Sequence, residues 1–213
     1  MTRPAPAGPA DHPERWYAQP AFTGRLLTLA PLTIEHAPAL HTALWAGDGG
    51  TEVYRWLGAP PPETVEQMTG IVYAALAHRA AGRRLPYAQL DSGSGSVIGT
   101  TSFYEVDPAL RTVAIGHTWL GRPWWRTGHN TESKLLMLGY AFDQLGAARV
   151  VWHTDVRNER SRAAIERLGA RFEGELRKHR ILADGTWRTT AQFSMVDDDW
   201  PACRARLRAA LDR

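Results

Sequence analysis

The alternation of apolar and polar residues changes rhythm about halfway along the chain. "GRLLTLAPLT" (24–33) alternates with period two and predicts a half-buried strand, and "IEHAPALHTALWAG" after it reads as a helix. A Pro-rich break precedes a second helix in "ETVEQMTGIVYAALAHRAAG", where Val65, Met68, Ile71/Val72 and Ala75/Leu76 keep helical spacing. "LPYAQLDSGSGSVIGTTSFYEVD" reads strand, Gly/Ser turn, strand: a hairpin. "TVAIGHTWLG" (112–121) is another alternating strand. Beyond it Leu135, Leu138, Phe142 and Leu145 form one stripe, which predicts an amphipathic helix near 130–145. "ARVVWHTDV" is dense in β-branched residues and reads as a strand. "NERSRAAIERLGA" is a helix with Asn at its start and Gly at its end. A long hairpin follows around Asp184-Gly185, and "WPACRARLRAALDR" closes the chain as a helix.

The order β-α-α-β-β-β-α-β-α-β-β-α predicts one mixed α/β domain. Its sheet is antiparallel early and has a strand–helix–strand crossover later. At 213 residues, with no internal repeat and no linker after residue 20, one domain over 21–213 is expected. The first 20 residues, rich in Pro, Ala and Gly, read as a flexible lead-in. They lack the apolar core of a signal peptide, and no apolar run approaches the roughly 20 residues of a membrane span. A cytoplasmic protein with no membrane partner is therefore expected.

Composition narrows the chemistry. Cys203 is the only cysteine, so neither an intramolecular disulfide nor a Cys-based zinc site can form, and no metal is expected. Its setting, "WPACRARLRAAL", suits a partly buried structural thiol. The formal charge of +3 is too mild to imply nucleic acid but suits a small anionic ligand. Lys134 and Lys178 are the only lysines among 25 Lys and Arg; arginine suits phosphate, although base bias explains the preference as well.

Two segments carry chemistry. "WWRTGHNTES" (124–133) leads from a strand into a helix, whose unpaired N–H groups and partial positive charge suit phosphate. Gly128 would let the backbone approach a ligand, Arg126 adds charge, and Thr127, Asn130 and Thr131 offer short donors. A plain helix start capped by Asn130 or Thr131 explains the same residues. In "NERSRAAIERLGARFEG", Asn158 and Ser161 share one helix face, and capping again explains Asn158 well and Ser161 passably. Together the two segments point to helix ends flanking one cleft, which fits an elongated, phosphate-bearing ligand.

With these motifs in this order, the chain from about 22 to 200 resembles the GCN5-related N-acetyltransferases (GNAT), in the branch of the ribosomal-protein alanine and serine N-acetyltransferases. "DVRNERSRAAIERLGARFEGELRKHRILADGTWRTTAQFSM" is the most specific part. "IGHTWLGRPWWRTGHNTESKLLML" matches the strand, pyrophosphate loop and helix that hold acetyl-CoA. The resemblance implies a single domain with a mixed, mostly antiparallel sheet whose two central strands splay. It implies that the backbone of His117, Thr118, Trp119 and Leu120 holds the pantetheine arm. Arg126, Thr127, Gly128, His129, Asn130 and Thr131 would surround the pyrophosphate, with Asn158 on the CoA arm and Ser161 near the sulfur. Against the family's Gln/Arg-x-x-Gly-x-Gly/Ala spelling, Gly128 survives, while Trp125 and Asn130 depart from it.

The reaction implied is attack of an amine on the acetyl thioester, first of all the amine of a protein or peptide N-terminus. A small amine (amino acid, polyamine or aminoglycoside), a non-catalytic acyl-CoA-binding module and a nucleotide-binding regulator are the competing readings. The family's usual Tyr acid is Ile165 here and its Glu is Ala114, so Ser161 is the candidate acid. His117 is the first candidate base, ahead of Glu105, His153 and Asp155. Tyr54 and Trp56, in the loop-like "GDGGTEVYRWLGAPPP", are candidates to line the acceptor side; Trp45 reads as core. The long hairpin and last helix are elements that can support a homodimer.

Overall fold

The strands are β1 (Phe22–Thr23), β2 (Leu27–Pro31), β3 (Arg84–Asp91), β4 (Val97–Asp107), β5 (Thr112–Leu120), β6 (Arg149–Asp155), β7 (Arg171–Ile181) and β8 (Trp187–Val196). The helices are α1 (Ala37–Trp45), α2 (Gly50–Tyr54), α3 (Val65–Ala80), α4 (His129–Gly139), α5 (Glu159–Leu168) and α6 (Trp200–Leu211). These elements come from a computed structural model that describes residues 12–212. All eight strands join one sheet in the order β1-β2-β3-β4-β5-β6-β8-β7.

Every neighbouring pair is antiparallel except β5 and β6, which run parallel through the α4 crossover. Their pairing lasts only from Thr112–Ala114 to Arg149–Val151, after which the two strands diverge. β4 and β5 also lose register twice. At the first shift His117 takes φ 50 and at the second Glu105 takes φ 48; left-handed backbone at a non-glycine residue marks a β-bulge that re-aims side chains.

Two cores flank the sheet. On one face α4, α5 and α6 close over Phe103, Ile115, Val150 and Phe193, with Met137, Leu138, Ile165 and Leu207 packed in. The α4 stripe follows the predicted spacing, with Leu138, Phe142 and Leu145 all buried, although the last turn of the helix widens to a π turn at Tyr140–Gln144. On the other face α1 and α3 bury Leu40, Leu44, Met68, Val72 and Ala75 against Ala88 and Trp119. They cover the β3–β4 side of the sheet, where their strand contacts concentrate. Register puts Tyr104, Ala114, Gly116, His153 and Gln192 on the remaining part of that face.

The expected single domain with a mixed, largely antiparallel sheet is observed. Three local features differ from the pattern reading. β1 is a short extra edge strand, and "GDGGTEVYRWLGAPPP" contains α2 in place of a continuous loop. The lead-in reading falls outside the described residues for positions 1–11, whereas Pro13–Tyr17 form a 3-10 turn whose Trp16 is buried in the first core. That ring supplies the apolar area that a Pro-rich composition conceals.

Candidate functional site

The divergence of β5 from β6 opens a V at the ends of both strands, and the next segment of chain after each strand is a helix start facing it. At α4 the N-cap is Gly128, left-handed at φ 90, and no side chain caps the helix. The first intrahelical bond is Glu132 N–H to Gly128 O, so Asn130 and Thr131 lie inside the first turn and do not cap it. Arg126, at φ 62, adds a second left-handed residue, and turns of this kind aim successive N–H groups into a concavity that suits an anion. A side chain at Gly128 would also meet Leu26 Cδ1 at 2.9 Å.

The loop is pinned from behind. Thr127 Oγ1 lies 2.7 Å from Trp124 O and 2.7 Å from His129 Nδ1, and His129 Nε2 lies 2.9 Å from Asp91 Oδ1. Asp91 is held by Ser94, and these hydrogen bonds keep its carboxyl below the usual carboxylate range. The side chains of Thr127 and His129 are thereby occupied within the loop, which leaves backbone amides as the free donors. The α5 start differs: Asn158 Oδ1 accepts Ser161 N–H at 3.0 Å, a cap of about 1 kcal/mol. The Asn158 amide NH2 group and the half-buried Ser161 hydroxyl remain available.

Between the helix starts lies the unpaired margin of β5. Its opposite margin is anchored: His117 O accepts Thr100 Oγ1 at 3.0 Å and Trp119 O accepts Gln89 Nε2 at 3.3 Å. Beneath the bulge lies Lys134, wholly buried on α4. Its ammonium reaches Thr118 Oγ1 at 3.1 Å and Thr101 Oγ1 at 3.3 Å, and no carboxylate pairs with it among the described residues. Burial alone pushes its pKa down to about 7.

On the open face a polar chain crosses the floor of the V. Tyr104 spans Gly116, where an added Cβ would sit 2.7 Å from Tyr104 Cε1, and its hydroxyl meets His153 Nδ1 at 2.8 Å. His153 Nε2 lies 3.2 Å from Gln192 Oε1, and Gln192 Nε2 donates to Glu173 Oε2 at 3.1 Å. These contacts are all satisfied when Tyr104 donates to a neutral His153 that donates to Gln192. Burial lowers the His153 pKa, in keeping with the neutral ring. Desolvation, then Arg84 and Arg180, also push His117 down, and its ring packs edge-on against Tyr104 at 5.2 Å while staying open to the cleft. Glu105 Oε2 lies 3.8 Å from His153 Nδ1 and lines a 370 Å³ groove with Ala114. Asp155 is fully engaged by Arg157 through two side-chain bonds of 2.9 Å.

Tyr54 is buried on α2, its ring 6.2 Å from Trp119, and burial pushes its pKa up to about 12. Trp56 is half-buried with Arg55 and Arg157 over its ring, at 5.1 and 5.2 Å. Trp45 gives its indole N–H to Pro62 O. Sequence reasoning missed Tyr104 and Lys134 as members of this site. A glycine inside an alternating strand, Gly116, is the signal for close approach that points to the Tyr104 crossing. Among the described residues no group of three or more His, Cys, Asp or Glu can hold a metal ion, and no helix is long and apolar enough to cross a membrane.

A parallel pair that splays beside an uncapped helix start is the layout of an acyltransferase cleft, and the comparisons agree. The family model described as "Acetyltransferase (GNAT) domain" matches residues 26–171. The chain belongs to this family. "Putative ribosomal N-acetyltransferase YdaF" of Bacillus subtilis (strain 168) is 30% identical over 106 residues, which make up 50% of this chain and 57% of that protein. The match therefore spans little more than half the length of that relative. A GCN5-related N-acetyltransferase from Brucella melitensis is 33% identical with a TM-score of 0.83, over 90% of this chain and 85% of that one. RimJ of Mycobacterium smegmatis, solved in complex with CoA-disulfide, has 24% identity and a TM-score of 0.71 over 86% of this chain and 88% of that one. At that identity the likeness concerns the fold.

Proposed function

We propose that the chain is an acetyl-CoA-dependent N-acetyltransferase whose acceptor is a primary amine, first of all that of a protein or peptide N-terminus. The observation that carries the reading is the V between β5 and β6, flanked by the uncapped start of α4 and the Asn158-capped start of α5. The acceptor being a peptide N-terminus rests on the family branch and on the name of the Bacillus relative.

The bound thioester supplies an activated acetyl group. Around it, the amides from Thr127 to Thr131 hold the phosphates, with Arg126 contributing charge. The margin of β5 from His117 to Leu120, through Thr118 and Trp119, aligns the pantetheine arm, and the amide of Asn158 fixes it from the other side. The Ser161 hydroxyl donates a hydrogen bond to the departing thiolate and relays to it a proton taken from water, so the hydroxyl is regenerated as the thiol forms. The proton lost by the attacking amine goes to His117 or to water beside it. Burial and the nearby guanidiniums disfavour the imidazolium, so His117 is neutral at neutral pH but weakly basic, and water beside it carries the proton onward. Glu105, in the groove where Ala114 lacks a carboxylate, is placed to stabilise positive charge arising on His153. Tyr54 and Trp56 border the amine.

The test combines acetyl-CoA-induced thermal stabilisation with free-thiol release across a panel of N-terminal peptides, amino acids and polyamines. Stabilisation together with peptide-dependent thiol release is expected. Turnover with small amines alone would move the acceptor to that class, and binding without turnover would leave an acyl-CoA-binding module. Ser161→Ala should lower kcat about tenfold or more with little change in acetyl-CoA affinity. Unchanged kcat would remove the hydroxyl from proton transfer.

A further inference from the structure

The acceptor side of the V is lined by guanidinium groups with too few acids to match them. Arg84 on β3, Arg188 on β8 and Arg180, its cross-strand partner on β7, lie close enough to His117 that each lowers its basicity. Arg188 is half-buried, its Nε is sequestered from solvent with no partner, and it forms neither a hydrogen bond nor an ion pair among the described residues. Arg84 is half-buried, and Ser102 Oγ, at 2.8 Å from Nε, is its one hydrogen-bond partner there. Arg180 reaches only Glu105, at 3.9 Å. Asp155 is the nearest acid acting on Arg188, but Arg157 already grips both its oxygens. Next to Arg188 on β8, Thr190 Oγ1 is another buried, unpartnered polar atom, and His179 Nδ1 on β7 is a third.

Burying charge without a counter-charge is costly, and the cross-strand guanidinium of Arg180 adds repulsion on Arg188. Such an arrangement is stable in use when the ligand supplies the anion. We propose that the acceptor carries a carboxylate beside its amine and that Arg188, with Arg180 at the rim, binds it. This rests on the acetyltransferase reading and narrows its acceptor to acidic amines: a peptide with an acidic residue at one of its first two positions, or free aspartate or glutamate read by its side-chain carboxylate. The same binding has a consequence for proton transfer. A carboxylate placed among these guanidiniums offsets the charges that weaken His117, so the ring becomes a better proton acceptor when the correct acceptor is bound.

The experiment compares matched acceptors by thiol release. One arm uses tetrapeptides that differ only by Glu against Gln at the first or second position; the other uses glutamate against glutamine. The acidic member of one arm is expected to show a kcat/KM about tenfold or more above its neutral partner, and that arm identifies the source of the carboxylate. Arg188→Gln should cut the preference about tenfold. Equal rates, or a preference for the neutral member, would overturn the proposal. Arg180→Gln repeats the test should Arg188→Gln fail to fold, as judged by its melting curve. Because turnover depends on the parent reading, N-acetylglutamate and N-acetylglutamine are also titrated into the protein in the presence of CoA. Tighter binding of the former, weakened in either variant, supports the site even without turnover; equal binding overturns it. Absence of stabilisation by acetyl-CoA counts against the parent reading alone.

Discussion

Replacing Lys134 by methionine should make the protein more stable at neutral pH. The ammonium is wholly buried, its contacts are two threonine hydroxyls, and its pKa falls from 10.5 to about 7. In the unfolded chain the amine holds its proton up to about pH 10.5, so folding at pH 7 must either bury the charge or release the proton. A shift of about 3.5 units at about 1.36 kcal/mol each, less the half-protonation remaining at pH 7, costs about 4 kcal/mol. Methionine has nearly the same shape and no charge, and it forfeits two hydrogen bonds worth about 1 kcal/mol each. It orphans nothing: Thr101 and Thr118 still bond each other at 2.8 Å. The expected gain is therefore about 2 kcal/mol at pH 7. The sign of its pH dependence follows from linkage. Between pH 7 and 10.5 the unfolded state binds one more proton than the folded state, so the wild-type protein gains stability as pH rises, by about 1.36 kcal/mol per unit. The advantage of Lys134→Met should shrink at that rate and vanish or reverse by about pH 9. Urea denaturation of both proteins at pH 7.0 and 9.5 measures the difference and cancels every other titrating group. A variant less stable at pH 7, or a gap that ignores pH, would refute a buried neutral lysine.

Glu132, buried on α4, accepts the backbone N–H groups of Arg25, Leu26 and Leu27, so Glu132→Ala should cost about 2–4 kcal/mol in urea denaturation by stranding them. Gly128→Ala meets both the left-handed φ of 90 and Leu26 at 2.9 Å, and should cost at least about 1 kcal/mol while weakening acetyl-CoA binding in a titration. Gly116→Ala places a methyl 2.7 Å from the Tyr104 ring, which must leave His153; kcat should drop about tenfold with acetyl-CoA affinity nearly intact. A kcat that survives this change would show that the Tyr104–His153 pair has no part in positioning the reaction.

Much of the fold is legible because apolar spacing and burial coincide. β5 occupies Thr112–Leu120, where the alternation lies, and Asn158 and Gly169 bound α5 as the N-cap and the left-handed C-cap. The α2 segment resists reading because Gly49 and Gly50 are poor helix formers. Gly50 is nonetheless required there, since an added Cβ would lie 2.6 Å from the Trp45 ring. Lys134 carries a signal that a charge-based reading overlooks: three and four residues before Met137 and Leu138, it lies on the apolar stripe of its own helix. The arginine surroundings of His117 are least legible. Arg84, Arg180 and Arg188 come from β3, β7 and β8, and nothing local in any of those strands announces that the sheet brings them to one histidine. Only long-range register creates that cluster, so a motif cannot encode it.

The same principle explains how "WWRTGHNTES" keeps an open helix start without the family's residues at its two ends. A polar or basic residue at position 125 is absent, yet the indole of Trp125 secures the turn from both sides. Its N–H holds Leu120 O at 2.8 Å, and its face carries the Arg160 guanidinium of α5 at 3.8 Å. Glu52 on α2 lies within 3.8 Å of Arg122 and 3.6 Å of Arg160, which ties the loop before α4 to the start of α5. Position 130 needs no tiny residue to keep the helix start open, because the side chains that would close it are directed elsewhere: Thr127 and His129 are drawn back to Trp124 O and Asp91. Backbone geometry at Gly128 is the one element that no neighbour can supply, and it is the one residue of the motif the chain keeps. The amides thus remain free while the side chains brace them, and the cleft is held open by residues drawn from α2, β3 and α5.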